Sequence, residues 1–392
     1  VIYLDNLATT PADPRVMEAA RPYFETLFGN PHSAEHEMGH VAARAVEVAR
    51  AEVASLIGAD PREIIFTSGA TEANNLAIKG AARFAGRSGP RQIITLATEH
   101  KCVLESVRDL ASEGFTPVIV PVLTDGSADL EALKAALATP TLLVSVMAAN
   151  NETGVLQNLP ALAELVRAAG ALLHSDLAQA AGKIPVDVNA MGLHLASVSG
   201  HKLYGPKGIG ALYVRRRPRV RLTPLFSGGG QERGLRSGTI PAPLAVGFGA
   251  ACIIAQADMK ADYNRIMSLR HGFMRQLQAA CPGVVENAGG ASCLPGALSL
   301  RFPGVRALDL MAACPGLCVS TGSACTSAEV APSHVLTAMG LTREEAARSL
   351  RIGIGRFTSA GQINEAAGLL AAAHQRLART HAARADDILA EA

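Results

Sequence analysis

The chain has 392 residues, 49% of them hydrophobic, enough apolar content to bury a large core at a length that fits two domains or one large one. Its 36 basic and 34 acidic side chains leave a formal charge of +2, so nothing calls for nucleic acid, and the one basic cluster, Arg215-Arg216-Arg217-Pro218-Arg219, reads as the solvated exit of an apolar strand. There is no twenty-residue apolar run and no basic-then-apolar leader, and the seven cysteines are too sparse for a disulfide framework, so the expectation is a soluble, cytoplasmic protein with no membrane contact.

From residue 64 to 214 short apolar runs alternate with amphipathic stretches. Ile64-Ile65-Phe66-Thr67, Gln92-Ile93-Ile94-Thr95, Val118-Ile119-Val120, Leu142-Leu143-Val144-Ser145-Val146, Leu172-Leu173-His174-Ser175 and Leu195-Ala196-Ser197-Val198-Ser199 read as buried strands. Helical patterns at 72–84, 103–113, 130–137 and 159–169 separate them, with Pro160 in a first turn and Gly114 and Gly170 at helix stops. Such alternation predicts an α/β layer with a mostly parallel sheet. After about residue 230 the texture changes: a long helix over 242–279, a strand at 297–302, a Cys/Gly/Ser-rich stretch to Ser327, then helix to the end. A large domain over 15–260 and a smaller one from 1–14 and 261–392 are expected.

Several strand ends carry chemistry. Thr67-Ser68-Gly69-Ala70-Thr71-Glu72 lies between a strand and a helix and offers backbone donors and hydroxyls to a phosphate, although an ordinary capped turn has the same composition. Thr98-Glu99-His100 brings an imidazole, and Asn150-Asn151-Glu152-Thr153-Gly154 brings amides in a segment that also reads as a turn. Asp176, in His174-Ser175-Asp176-Leu177-Ala178-Gln179, and Lys202, in Ser199-Gly200-His201-Lys202, would emerge at one sheet edge, although taken alone they also read as an exposed aspartate and an exposed lysine in two loops. That pair is what pyridoxal phosphate needs, an amine for its aldehyde and a carboxylate for its ring nitrogen. Ser320-Thr321-Gly322-Ser323-Ala324-Cys325-Thr326-Ser327 presents a thiol among small residues, unlike a core cysteine.

Together with Asp5-Asn6-Leu7-Ala8-Thr9-Thr10, these motifs in this order resemble the cysteine desulfurases of the NifS/IscS type, pyridoxal-phosphate enzymes of the class-V aminotransferase family, from residue 2 to about 358. The resemblance implies the type I fold of these transferases: a large domain with a mostly parallel seven-stranded sheet between helices, and a smaller α+β domain. It implies that Lys202 carries the cofactor and moves the substrate Cα proton. Asp176 would meet the ring nitrogen, Gln179 the ring hydroxyl, His100 one ring face and Ala178 the other, while Ala70, Thr71, Ser199 and His201 would hold the phosphate. Thr239 would reach the phosphate of a neighbouring subunit in a homodimer. Arg351 would grip the carboxylate of L-cysteine beside Asn151, and Cys325 would take the substrate sulfur as a persulfide, leaving L-alanine. The loop around Cys325 resembles that of the subgroup whose cysteine travels, which implies an iron–sulfur scaffold or sulfur-carrier protein as acceptor and puts Cys325 within reach of a nascent cluster. No basic residue adjoins Cys325, so His100 or bound substrate would have to help its thiol ionise. A selenocysteine lyase or related β-lyase is the alternative within this cofactor class, and a non-catalytic assembly subunit the alternative outside it.

Leu7 and Leu177 are larger than the residues usual in this family and are expected to crowd the site. Gly353 and Gly355, where relatives commonly carry a serine at one position, are expected to give Arg351 looser support. Two metal-like patterns stand apart from the resemblance. Cys314-Pro315-Gly316-Leu317-Cys318 lacks a second ligand pair at a matching distance, so a local disulfide or a role for Cys318 in resolving the persulfide is the alternative to zinc. His36-Glu37-Met38-Gly39-His40 matches a zinc-protease helix but lacks a third ligand, and Gly39 falls inside the helix. No metal is expected. Cys102, Cys252, Cys281 and Cys293 read as buried or incidental.

Overall fold

The computed structural model describes residues 1–86, 88–322 and 332–390, the stretch 381–390 by its backbone alone. After β1 (Ile2–Tyr3), α1 (Pro14–Glu25) and α2 (Glu37–Ile57), the chain alternates through β2 (Ile64–Thr67), α3 (Ala70–Ala85), β3 (Gln92–Leu96), α4 (Lys101–Asp109), β4 (Thr116–Val120), α5 (Leu130–Ala136), β5 (Thr141–Ser145), α6 (Leu159–Ala168), β6 (Leu172–Asp176), β7 (Leu195–Ser199) and β8 (Gly210–Val214). Seven of these strands form one sheet in the order β2-β8-β7-β6-β5-β3-β4. Neighbours from β7 to β4 are parallel, whereas β8 runs against both β7 and β2. The reversal follows from chain length, since the Gly200–Ile209 connection is too short for the crossover a parallel strand needs. Helices cover both faces, so β2, β3, β7 and β8 are buried throughout and spell mostly apolar runs.

The expected helix at 103–113 divides into α4 and a 3-10 turn, Leu110–Glu113, that ends at Gly114 with φ of +81°. Helix α3 starts two residues earlier than its periodicity suggests, at Ala70, which draws the phosphate-like loop into the helix N-terminus. Every turn at the carboxyl ends of β2, β3, β5, β6 and β7 opens on the same edge, because β2 points the same way as β7. In α/β sheets that edge is where ligands bind.

Helix α7 (Ala242–Ala280) is long and apolar enough to span a membrane by length and composition, yet here it is a core helix, with Ala245, Phe248, Ala251 and Cys252 buried where it packs on α1 and α2. Its distal half faces a second apolar cluster, in which Phe273 and Leu277 meet Ile2, Leu4, Leu300, Phe302, Leu350 and Leu370. That cluster encloses a small sheet of β9 (Val285–Glu286), β10 (Ala297–Arg301) and the strand Ser349–Gly353, with α8 (Ala307–Ala313) and the helix Ala360–Ala390 alongside. β1 pairs in parallel with β11 (Leu317–Cys318), so the N-terminal residues are built into this region.

The support behind Arg351 is tight, which corrects the expectation from Gly353 and Gly355. A Cβ on Gly353 would lie 2.8 Å from Leu7 N and 2.9 Å from Asn6 N, and one on Gly355 would lie 2.5 Å from Asn6 Cγ. The glycines permit a close approach of the N-terminal segment, and Asn6 Nδ2 donates to Gly353 O at 2.8 Å across it.

Candidate active site

The strand ends enclose a cleft of about 690 Å³ lined by Ala70, Thr71, His100, Asn151, Asp176, Ala178, Gln179, Ser199, His201, Lys202 and Arg351. Asp176 is the last residue of β6, and Lys202 lies in the 3-10 turn that follows the neighbouring β7. Two N–H donors fix the Asp176 carboxylate, Ala178 N to Oδ1 at 2.8 Å and Asn74 Nδ2 to Oδ2 at 2.7 Å. Lys202 Nζ donates to the carbonyls of Leu7 at 2.5 Å and Ala8 at 2.7 Å. His100 caps α4, its Nδ1 accepting from Cys102 N at 3.2 Å and lying 3.0 Å from Cys102 Sγ, while the ring opens to the cleft. Gln179 spends both ends of its amide on protein, Nε2 on Leu7 O at 2.8 Å and Oε1 on Lys183 Nζ at 2.7 Å.

At one end of the cleft the N-cap of α3 is Gly69, at φ of +154° and without a side-chain cap, so the amides of the first turn stay free to meet an anion. Gly210 lets β8 come close beneath that loop, since a Cβ there would lie 2.7 Å from Gly69 Cα. Glu72 braces the loop, accepting from Ser68 N at 2.7 Å and from Arg236 Nε at 2.9 Å. His201 Nδ1 is 3.0 Å from Thr9 Oγ1. At the other end Arg351 donates from Nη1 to Asn151 O at 3.0 Å and from Nη2 to Asp5 Oδ1 at 2.8 Å. Its Nε and Asn151 Oδ1 are both buried with no hydrogen-bond partner among the described residues. Unspent polar atoms of that kind mark a place where a ligand completes the network.

Burial shapes the titration of the cleft. Desolvation, then Arg351, lowers the Lys202 amine to about 8 against the pull of Asp176 and Asp5. Burial lowers His100 despite Asp176, and burial with Lys202 and Lys207 nearby takes His201 down to about 4. Burial beside Asp176 pushes the Cys102 thiol up to about 12, so it is a poor nucleophile at neutral pH. Burial raises Glu152, which Ser333 Oγ partly offsets by donating to its Oε2.

The class-V aminotransferase model matches residues 2–365. The chain belongs to that family. Among its relatives, a cysteine desulfurase IscS of Rickettsia akari is 53% identical over 94% of this chain and 90% of its own. A solved NifS-like protein, 36% identical, superposes with a TM-score of 0.88 over 96% of this chain and 99% of its own. SspA, solved in complex with cysteine, is 34% identical with a TM-score of 0.78 over 92% and 100%. Class-V enzymes of the IscS/NifS kind depend on pyridoxal phosphate. The cleft fits that group: an uncapped helix end for a phosphate, a paired carboxylate and a lysine amine for the ring, and an unspent guanidinium N–H beyond them.

Family membership also sharpens what sequence reading missed. Asn74 is fully buried on the face of α3 that meets the sheet, and a polar residue between Ala73 and Ala77 on such a face was its signal. Cys102, read as incidental, lines the cleft beside His100. Leu7 acts through its carbonyl, with its side chain in the core, and Leu177 is fully buried in that core, so it does not crowd the site. Thr239 is exposed and outside the cleft lining of this chain. Cys325, with the rest of 323–331, lies outside the described residues. His36 caps α2, accepting from Gly39 N at 3.1 Å, and His40 Nε2 lies 2.8 Å from Ala34 O, so both imidazoles have structural partners. Cys314 and Cys318 are free thiols, and among the described residues no three His, Cys, Asp or Glu side chains gather as a metal site.

Proposed function

We propose that this cysteine desulfurase works through Lys202, Asp176, His100, Arg351 and Cys325. One observation carries the reading: a lysine amine and a doubly held carboxylate converge from adjacent strand ends, facing an arginine with an unspent N–H. Bound pyridoxal phosphate supplies an electron sink beside the substrate Cα. Lys202, lowered to about 8, keeps an appreciable neutral fraction near pH 7, so it can both hold the cofactor aldehyde and accept the Cα proton. Asp176 would meet the ring nitrogen and Gln179 the ring oxygen. Ala70, Thr71, Ser199 and His201, which line that end of the cleft, would hold the phosphate. Arg351 and Asn151 would orient the carboxylate of L-cysteine, a reading supported by the SspA relative, which was solved in complex with cysteine. His100 stays largely neutral and takes a proton from a thiol. The Cys325 thiolate then attacks the substrate sulfur: a new S–S bond forms, the C–S bond breaks, its electron pair remains with the carbon fragment, and protonation releases L-alanine and leaves a persulfide on Cys325.

The wider reading is a cytoplasmic homodimer in which Thr239 completes the neighbour's phosphate site, with an iron–sulfur scaffold or carrier protein receiving the sulfur. The division into 15–260 and 1–14 with 261–392 is supported by the separate apolar cluster around Phe273 and Phe302. An absorbance spectrum of the purified protein, with sulfide and alanine assays on L-cysteine and reductant, tests the proposal against Cys325→Ser. Equal sulfide and alanine, lost in the variant while the cofactor band stays, is the expected result. A yellow protein indifferent to Cys325 would favour the selenocysteine lyase, and one that cannot be made to hold the cofactor would remove Lys202 from the mechanism.

A further inference from the structure

Lys183 lies under the floor of the cleft, on the wall of a small cavity of about 40 Å³. It makes no ion pair among the described residues, and its one side-chain hydrogen bond is the 2.7 Å donation to Gln179 Oε1. The carboxylate that shares this cavity, Asp262, is committed to Arg356. The other charged groups that act on Lys183 are cationic, Lys202 and Arg351, and together with burial they lower its amine to about 7. A half-buried lysine without a counter-ion costs stability, so its placement asks for a compensating task.

Its geometry supplies one. A lysine nitrogen, charged or neutral, has N–H groups to donate, the Leu7 carbonyl can only accept, and an amide side chain has one accepting and one donating end. Gln179 sits between Lys183 Nζ and the Leu7 carbonyl, and only one of its two orientations satisfies both. Its oxygen must face Lys183, so its NH2 must face Leu7 O and the cleft. Leu7 O also receives Lys202 Nζ, which ties the amide to the lysine that holds the cofactor.

We propose that Lys183 is a positioning residue that locks the Gln179 amide so that an N–H, never the carbonyl, is presented to the ring oxygen of the cofactor. This rests on the assignment of Gln179 to that oxygen. A donated hydrogen bond makes the oxygen less basic, so the proton it shares with the Lys202 nitrogen is released at lower pH. Without Lys183 the Leu7 carbonyl alone opposes a turned amide, whose carbonyl dipole would face the ring oxygen.

The pH midpoint at which the absorbance of the holoenzyme changes between its two cofactor bands reads this directly, without turnover. It is measured for the native protein, Lys183→Met, Gln179→Leu and the double variant. Each single substitution should raise the midpoint by about one unit, a tenfold tighter proton, and the double variant should match Gln179→Leu alone. Lys183→Arg, which keeps donor and charge, should titrate like the native protein. An unmoved midpoint in Lys183→Met overturns the proposal. So does an additive shift in the double variant, which would make Lys183 a charge acting through space. An unmoved midpoint in Gln179→Leu instead refutes the Gln179 assignment itself, and the role of Lys183 with it. If methionine is not tolerated, Lys183→Gln enters the same cycle, because a neutral amide no longer dictates which end of Gln179 it meets.

Discussion

Replacing Arg351 by methionine keeps the apolar stem and removes the group assigned to the substrate carboxylate. Two N–H groups are committed inside the protein, to Asn151 O and Asp5 Oδ1, and Nε is buried without a partner. A carboxylate that takes two of the three remaining donors gains two charge-assisted hydrogen bonds, at about 1.5 kcal/mol each by the lower figure for charged groups. Their loss, about 3 kcal/mol, corresponds to a fall in kcat/KM of roughly 150-fold. A second effect runs in parallel, because Arg351 helps to lower Lys202, and its removal leaves less neutral amine. Cysteamine, which lacks the carboxylate, separates the two: a loss shared by both substrates reports Lys202, and the part confined to L-cysteine reports recognition. Alanine formation from L-cysteine and sulfide formation from cysteamine, measured on holoenzyme with its cofactor band intact, give both numbers. A preference for L-cysteine over cysteamine that survives within about fivefold would refute the assignment.

Apoprotein should take up pyridoxal phosphate faster as pH rises, about tenfold per unit, until the rate levels near pH 8, where the Lys202 amine becomes mostly neutral. A rate still climbing at pH 10 would contradict that lowering. Gly353→Ala should cost about 1–3 kcal/mol by overpacking and loosen the cofactor, because its Cβ presses on Asn6 N and Leu7 N; denaturant melts and cofactor release read both. Glu232→Gln should cost about 3 kcal/mol, since Glu232 accepts two 2.7 Å bonds from buried Arg50 and one from Phe66 N. Arg50→Met with Glu232→Leu should recover part of that in the same melts, and a double variant less stable than the single would contradict it.

The inner parallel strands were legible because burial on both faces spells them as mostly apolar runs, and the polar residues at their carboxyl ends were conspicuous against those runs. Asp176, His100 and Lys202 each stand at such a break. Leu177 could have been placed correctly too, since strand alternation sends it away from the face that Asp176 uses. Other features had no letter to read. The acceptors of Lys202 are carbonyls, which every residue owns, and the partner that makes Gly353 tight is Asn6, 347 positions away. Only β8, with its short connection, broke the parallel pattern, and it did so for a reason of length that was visible beforehand.

Residues 2–10 form a common ruler for the chemistry. Ile2 and Leu4 are planted in the second apolar cluster; from there Asp5 meets Arg351, the carbonyls of Leu7 and Ala8 meet Lys202, and Thr9 meets His201. A slip of this one segment would misalign carboxylate grip, amine and phosphate histidine together, so their mutual spacing is set by nine consecutive residues instead of by the agreement of two separately folded cores. Much of that ruler is main chain, and an alanine scan would pass over its most important marks. Amide-to-ester replacement, which weakens one carbonyl at a time, is the perturbation that would find them.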